Sequence, residues 1–460
     1  VWAVAWVPPV YLKFVKESLK MQRKKLLAHL NGFFYSLVIV YFSVNTSLIF
    51  AKDYPYGLPS SSPDRLGVSS ERIGRITSVM GKYVENKTVP GLTAIVARNG
   101  KLVYSKSFGF SNEEDQKPLE EGAIYRMYSM TKPVTAVAVM TLFEEGLILL
   151  DDPISNYLPE FKNSKVYIEL EGGAFELVEA EPITIKHLLT HTSGMDSRRS
   201  QTPTGKMQLE AGLDWDQAMG SGMNLEEFVK KLAAIPLYSQ PGTEWRYSYN
   251  QSVLGRLVEV VSGQPFGVYL EQKIYQPLKM TSAGFSVPFK NKERLTTLYT
   301  RNTDDSYSPM LNVPATQIDF LSRPVDLELG DGGLLCSAGD YLRFLQMLLN
   351  GGVLDGTRIL SPTSVDMIMS NQLPSETKST LRNSGLGYGF AGAVIEDVSK
   401  TNMPGSSDQY LWGGWAGTRF WIDREYQLIG MVLTQVRPGF ETKPSLGDKM
   451  KQMTYQAIVK

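Results

Sequence analysis

Ser129 and Lys132 stand three residues apart in Tyr-Ser-Met-Thr-Lys-Pro. Positions i and i+3 of a helix share a face, so a hydroxyl oxygen and an amine nitrogen can meet there. A serine with a base one turn along is a candidate activated nucleophile. The first turn of a helix also leaves N–H groups without intrahelical partners, which favours negative charge nearby. The same pattern describes a capping serine with an exposed lysine, so the spacing by itself leaves both readings open. A Ser-His-Asp arrangement has no G-x-S-x-G elbow to rest on. His187 and His191 lie on a leucine-rich stretch before a Thr-Ser-Gly turn, where hydrogen-bonded structural histidines are expected. Proton transfer at Ser129 then needs Lys132 and a second group whose acidity can be shifted, for which a tyrosine qualifies. Tyr247 is one of 23 tyrosines, and position alone does not select it.

These side chains need elements to hold them. Pro133 in the first turn and Gly146 at the end delimit a helix that carries Lys132. Ahead of it, β-rich runs over 91–98 and 101–107 are joined by Asn99-Gly100, a strong hairpin signal. Helical periodicity marks 69–83, 225–232 and 253–263, the last closed by Gly263, and a short helix is expected within 183–194. The polar, glycine-rich stretch 198–222 shows little periodicity and reads as a lid or substrate-lining loop, or as a variable surface connection. A glycine-rich turn over 330–340 precedes a helix at 341–349, and it lacks the Lys-Ser/Thr ending of a phosphate loop. Strands over 417–423 and 427–435 form a second hairpin, and a last helix covers 445–459. Strands at both ends with helices between predict an α/β (α+β) fold, an antiparallel sheet built by the two chain ends with a helical insert. The expected division is 52–128 with 325–460 as the sheet domain and 129–324 as the mainly helical one.

The chain of 460 residues, 43% hydrophobic and 20% charged, can bury a sizeable core. Lys plus Arg and Asp plus Glu balance at 47 each, so no global field gathers nucleic acid or an anionic surface; a small neutral or amphiphilic partner is expected. The single Cys336 excludes an intrachain disulfide and a cysteine-clustered metal site, and three histidines without H-E-x-x-H supply zinc poorly. No metal or cofactor is expected. Residues 1–51 read as an upstream segment followed by a secretory signal. A basic start at Met21–Lys25 precedes an apolar run over 32–50, with Ala51 the last residue before cleavage. An uncleaved anchor is the alternative, because the run approaches a bilayer-spanning length. Export to the periplasm or medium is the expectation, with no membrane partner after cleavage.

Five segments occur in register: Tyr128-Ser-Met-Thr-Lys-Pro133, His187-Leu-Leu-Thr-His-Thr-Ser-Gly194, Pro241-Gly-Thr-Glu-Trp-Arg-Tyr-Ser248 with Val253-Leu-Gly255, Gly332-Gly-Leu334 with Ser337-Ala338, and Trp412-Gly-Gly414. In this order the chain resembles the family VIII carboxylesterases of the serine β-lactamase-like superfamily, which includes class C β-lactamases and DD-peptidases. The resemblance implies Ser129 as nucleophile, Lys132 as the group that orients it and takes its proton, and Tyr247 as the proton shuttle to leaving group and water. It implies an oxyanion hole from the N–H groups of Ser129 and Trp415, with Trp412, Gly413, Gly414, Tyr249 and Asn250 at the substrate. Two departures from the lactamase pattern stand out. Tyr247-Ser248-Tyr249-Asn250 displaces the amide of Y-x-N by one residue, and Trp412 replaces the lysine of Lys-Thr-Gly. An ammonium can hold a substrate carboxylate; an indole offers an apolar wall and one N–H. Hydrolysis of short- to medium-chain esters through a seryl acyl-enzyme is therefore expected, with slow β-lactam hydrolysis as a side activity. The alternatives are a β-lactamase or DD-peptidase, an acyltransferase, or a silent β-lactam sensor.

Overall fold

A computed structural model of the protein describes residue 20 and residues 55–197, 200–310, 325–439 and 445–460, and Pro55–Lys460 forms one compact unit. The expected signal segment lies outside the described residues, of which none forms a helix long and apolar enough to cross a membrane.

An eight-stranded antiparallel sheet is built from both ends of that unit. Its spatial order is Leu386–Tyr388, Ala393–Ile395, Gln409–Gly413, Arg419–Asp423, Leu428–Leu433, Gly91–Arg98, Lys101–Asn112 and Lys117–Pro118. The first hairpin turns at Asn99 (φ 50°) and Gly100 (φ 72°), two successive left-handed residues whose twist matches that of the strands. The chain ends join where Gly91–Arg98 pairs with Leu428–Leu433, Thr93 opposite Leu433 and Arg98 opposite Leu428.

Alternation along the strands separates two faces. Leu92, Ala94, Val96, Trp421 and Val432 pack with Ile73, Ile76, Met80 and Met450 of the helices Ser70–Glu85 and Leu446–Gln456. Ile95, Phe420, Ile422 and Met431 face the other way, into a larger core with the helices Thr131–Glu144 and Ala338–Leu349. Twelve of the fourteen residues of Thr131–Glu144 are buried, so this helix runs through the core and not along its surface. A rod packed on all sides fixes whatever sits at its start.

The described part of 198–222 departs from the irregular stretch expected. It contains the helices Pro203–Glu210 and Trp215–Met219. Thr202 caps the first by accepting from the Gly205 N–H, with Pro203 in its first turn, and Asp214 caps the second through the Asp216 N–H. At eight and five residues they are too short to show a period, and only their caps mark them in the sequence.

Candidate active site

The strand Ile124–Arg126, paired with Leu335–Ser337, leads into a tight turn at Tyr128–Met130 that ends on the buried helix. Tyr128 has φ 47°, a left-handed conformation that a bulky residue adopts only when its surroundings impose it. Its ring is buried between Trp215, 5.9 Å away, and Trp415, at 6.0 Å. The backbone on either side is tied: Met127 N–H donates to Leu334 O (2.9 Å), Thr131 Oγ1 to Tyr128 O (2.7 Å), and the Tyr341 hydroxyl to Met130 O (2.7 Å). Ser129 is thereby presented, half-buried, at the head of the helix.

Two donors converge on its oxygen. The Tyr247 hydroxyl donates to Ser129 Oγ at 2.7 Å and Lys132 Nζ at 3.3 Å. Lys132 is 1% exposed, and its Nζ also donates to Asp331 O at 2.5 Å, lies 4.0 Å from the Asp331 carboxylate and stands 4.6 Å from the centre of the Tyr247 ring. The buried Nζ therefore has a carbonyl, a carboxylate and an aromatic face around it, partners that let it hold or pass on a proton away from water. Asp331 is held in turn by the Ser252 hydroxyl.

His191 is fully buried with its ring 4.8 Å from that of Tyr247. Burial, and secondarily the Lys132 charge, hold it far below the ordinary histidine range, so it is a neutral imidazole. Its Nδ1 lies 2.6 Å from Asn250 Nδ2 and accepts the Ser248 N–H at 3.4 Å. His187 closes a capping box with Thr184. Both histidines thus support backbone and neighbours, and neither contacts Ser129 Oγ by a hydrogen bond.

The structure departs from expectation at Asn250. This residue is fully buried, accepts from the Ser193 hydroxyl (2.5 Å), approaches His191 and is not in the cavity wall. The one-residue displacement makes it the first residue of the helix Asn250–Ser262, which turns its side chain inward. Tyr249 touches the cavity, but its hydroxyl donates to Leu213 O at 2.6 Å and its ring meets Phe228 edge-on.

Trp412 lies in the strand Gln409–Gly413 with its ring 5.7 Å from Tyr247, forming a wall of the cavity. Gly414 follows where the strand end meets the serine turn. A Cβ there would stand 2.3 Å from Met127 O and 2.3 Å from Thr418 Oγ1, so only glycine lets the two backbones approach. The Trp415 indole is covered by the Arg437 guanidinium, 3.5 Å from its centre. Arg437 also makes an ion pair with Asp216 at 3.0 Å and approaches the Tyr128 hydroxyl at 3.4 Å. This clamp joins the helix Trp215–Met219 to the strand end and to the serine turn, and no spacing in the sequence announces it. Nor does any spacing announce Asp331, which sits in the glycine-rich turn before the helix Ala338–Leu349.

The cavity has a volume of about 700 Å³, and Ser129, Lys132, Tyr247 and Trp412 face it together with Trp215 and Trp245. Among the described residues, no three His, Cys, Asp or Glu side chains gather as a metal site. A nucleophile with two proton-bearing partners beside an aromatic cavity can perform acyl transfer.

Comparisons with known proteins agree with that chemistry. The beta-lactamase family model matches residues 76–452. The chain is 31% identical over 380 residues to Esterase EstB of Burkholderia gladioli, covering 78% of this chain and 89% of that one. It is 26% identical to Acyltransferase calJ of Penicillium decumbens, over 74% of this chain and 82% of the relative. Among solved structures, EstCE1, a hydrolase with promiscuous acyltransferase activity, superposes with a TM-score of 0.72 at 26% identity, covering 84% of this chain and 99% of its own.

Proposed function

The chain belongs to the beta-lactamase family, and from that premise we propose that it hydrolyses short- to medium-chain carboxylic esters through an acyl-enzyme on Ser129. A carboxylic ester hydrolase is what its relatives' chemistry and its own site have in common. The observation that carries the reading is the convergence of Tyr247 and Lys132 on Ser129 Oγ, at 2.7 and 3.3 Å.

The reaction divides into two transfers. The Lys132–Tyr247 pair enters the step with one proton fewer than an ammonium beside a phenol; Ser129 Oγ attacks the ester carbon as its proton passes to that pair, and the carbonyl oxygen becomes an oxyanion. Backbone N–H groups of Ser129 and Trp415 are assigned to that oxyanion, a reading supported by the close approach of Gly414 to Met127. Collapse breaks the bond to the alcohol oxygen, which leaves with a proton delivered through Tyr247. Water then gives a proton to the same pair and attacks the acyl carbon. Release of the acid returns the hydrogen to Ser129 Oγ.

Trp412 supports esters over β-lactams as principal substrates, since an indole cannot hold a lactam carboxylate as an ammonium does. Transfer to an alcohol instead of water is a second reading, favoured by the likeness to an acyltransferase and to a hydrolase with promiscuous acyltransferase activity. The test is mass spectrometry after rapid quenching during p-nitrophenyl butyrate turnover. One butyryl group is expected on the peptide containing Ser129, and none, with no turnover, in Ser129→Ala. Retained turnover in a folded Ser129→Ala protein contradicts the assignment.

A further inference from the structure

The cavity at Ser129 does not end on the sheet face that bears Trp412. Neighbouring strand residues point to opposite faces. Trp412 and Phe420 pack with the larger core, whereas Leu411 and Trp421 belong to the core under the C-terminal helix. All four line one continuous cavity, together with Gly413, Gly414 and Gly417 at the tip of the hairpin between them. The cavity therefore turns around that tip and continues as a second arm on the far face. Leu386, Ile395, Met403 and Leu446 complete the apolar walls of this arm.

At its far side stands Lys451, on the buried face of the helix Leu446–Gln456 and 8% exposed. Among the described residues its ammonium has no hydrogen bond and no ion pair. The nearby carboxylates are engaged elsewhere: Asp448 pairs with Arg419 at 3.3 Å, and Asp423 accepts from the hydroxyls of Ser406 (2.7 Å) and Tyr455 (2.6 Å). Burial draws the Lys451 amine down to about 8 despite the fields of Asp423 and Asp448, with Arg419 adding to the positive side. Arg419 and Asp448 also line this arm, paired with each other, so Lys451 is its one cation without a carboxylate partner among the described residues, and an anion carried on an apolar stem completes it. A fully apolar chain would leave the ammonium unpaired.

We propose that this arm is a subsite for a carboxylate at the remote end of an ester substrate, with Lys451 as its counter-charge and the apolar walls holding the chain between. The preferred substrates are then half-esters of dicarboxylic acids. This deepens the ester-hydrolase reading of Ser129 and rests on it.

Binding can be measured without turnover in Ser129→Ala. Titration calorimetry at neutral pH compares monomethyl suberate with dimethyl suberate, which differ in the free carboxylate. The half-ester is expected to bind at least about tenfold tighter, as a charge-assisted contact implies. Adding Lys451→Met should abolish the preference while dimethyl suberate still binds, and Lys451→Arg, which keeps a cation, should retain it. Equal affinities in Ser129→Ala, or a preference that survives Lys451→Met, overturn the subsite. Should the methionine variant fail to melt cooperatively, the ratio in Ser129→Ala decides alone. Hydrolysis of p-nitrophenyl butyrate by the unaltered protein tests the parent reading separately. Turnover without a carboxylate preference keeps the reaction and removes the subsite, and a preference without turnover does the reverse.

Discussion

At the scale of the residue, the proposed catalysis rests on three side chains whose relation is geometric and whose sequence signal is uneven. Ser129 and Lys132 are legible because helix periodicity places i and i+3 on one face. Tyr247 is 118 positions from Ser129, and only its motif separates it from the other tyrosines. Asp331 and Arg437, which support Lys132 and Trp415, carry no pattern at all. Tyr247→Phe removes a hydroxyl and leaves the ring packed against His191, Trp245 and Trp412, so kcat on p-nitrophenyl butyrate should fall about 100- to 10,000-fold with an unchanged melting temperature. A loss below tenfold would move proton transfer elsewhere. Lys451 tests the opposite kind of residue, one that the fold holds at its own expense. Its amine binds a proton up to about pH 8 in the folded protein against 10.5 ordinarily. Between those values the unfolded chain holds more protons, so stability rises with pH through this window and the burden is greatest below it. Lys451→Met should accordingly raise stability at pH 7 by about 1–3 kcal/mol in urea unfolding, with the gain shrinking as pH climbs from 8 toward 10.5. A destabilised methionine variant would mean that Lys451 holds the helix in place.

At the scale of the element, the site is a meeting of a buried helix start, a strand end and a capped turn. Elements with strong local chemistry were readable: Asn99-Gly100 turns the first hairpin and Gly263, at φ 69°, closes the helix Asn250–Ser262. The strands Leu386–Tyr388 and Ala393–Ile395 were not, because three residues cannot display alternation. The junction most sensitive to change is Gly414 against Met127. Gly414→Ala should push the strand end away from the serine turn and lower kcat/KM on p-nitrophenyl butyrate by about 100-fold or more, the effect of misplacing an oxyanion donor. Wild-type kinetics in that variant would detach Trp415 from the oxyanion.

At the scale of the whole molecule, closure of the sheet by both chain ends explains how residues so distant share a cavity. Arg98 shows the same closure, its guanidinium donating to the carbonyls of Leu66 (2.9 Å), Gly67 (3.0 Å), Tyr426 (3.2 Å) and Lys460 (2.7 Å). The overall architecture was legible from strands at both ends with helices between. The two-armed cavity was not, since it depends on where a hairpin tip ends in space. On the proposed reading that cavity, walled by indoles and apolar side chains with Trp412 beside Tyr247, selects what reaches Ser129. The most direct measurement is therefore steady-state kcat/KM of the purified protein on p-nitrophenyl acetate, butyrate and palmitate beside a chromogenic cephalosporin. Butyrate turnover well above both palmitate and cephalosporin turnover is the predicted result. Efficient cephalosporin turnover with feeble ester hydrolysis would contradict it and make the protein a β-lactamase.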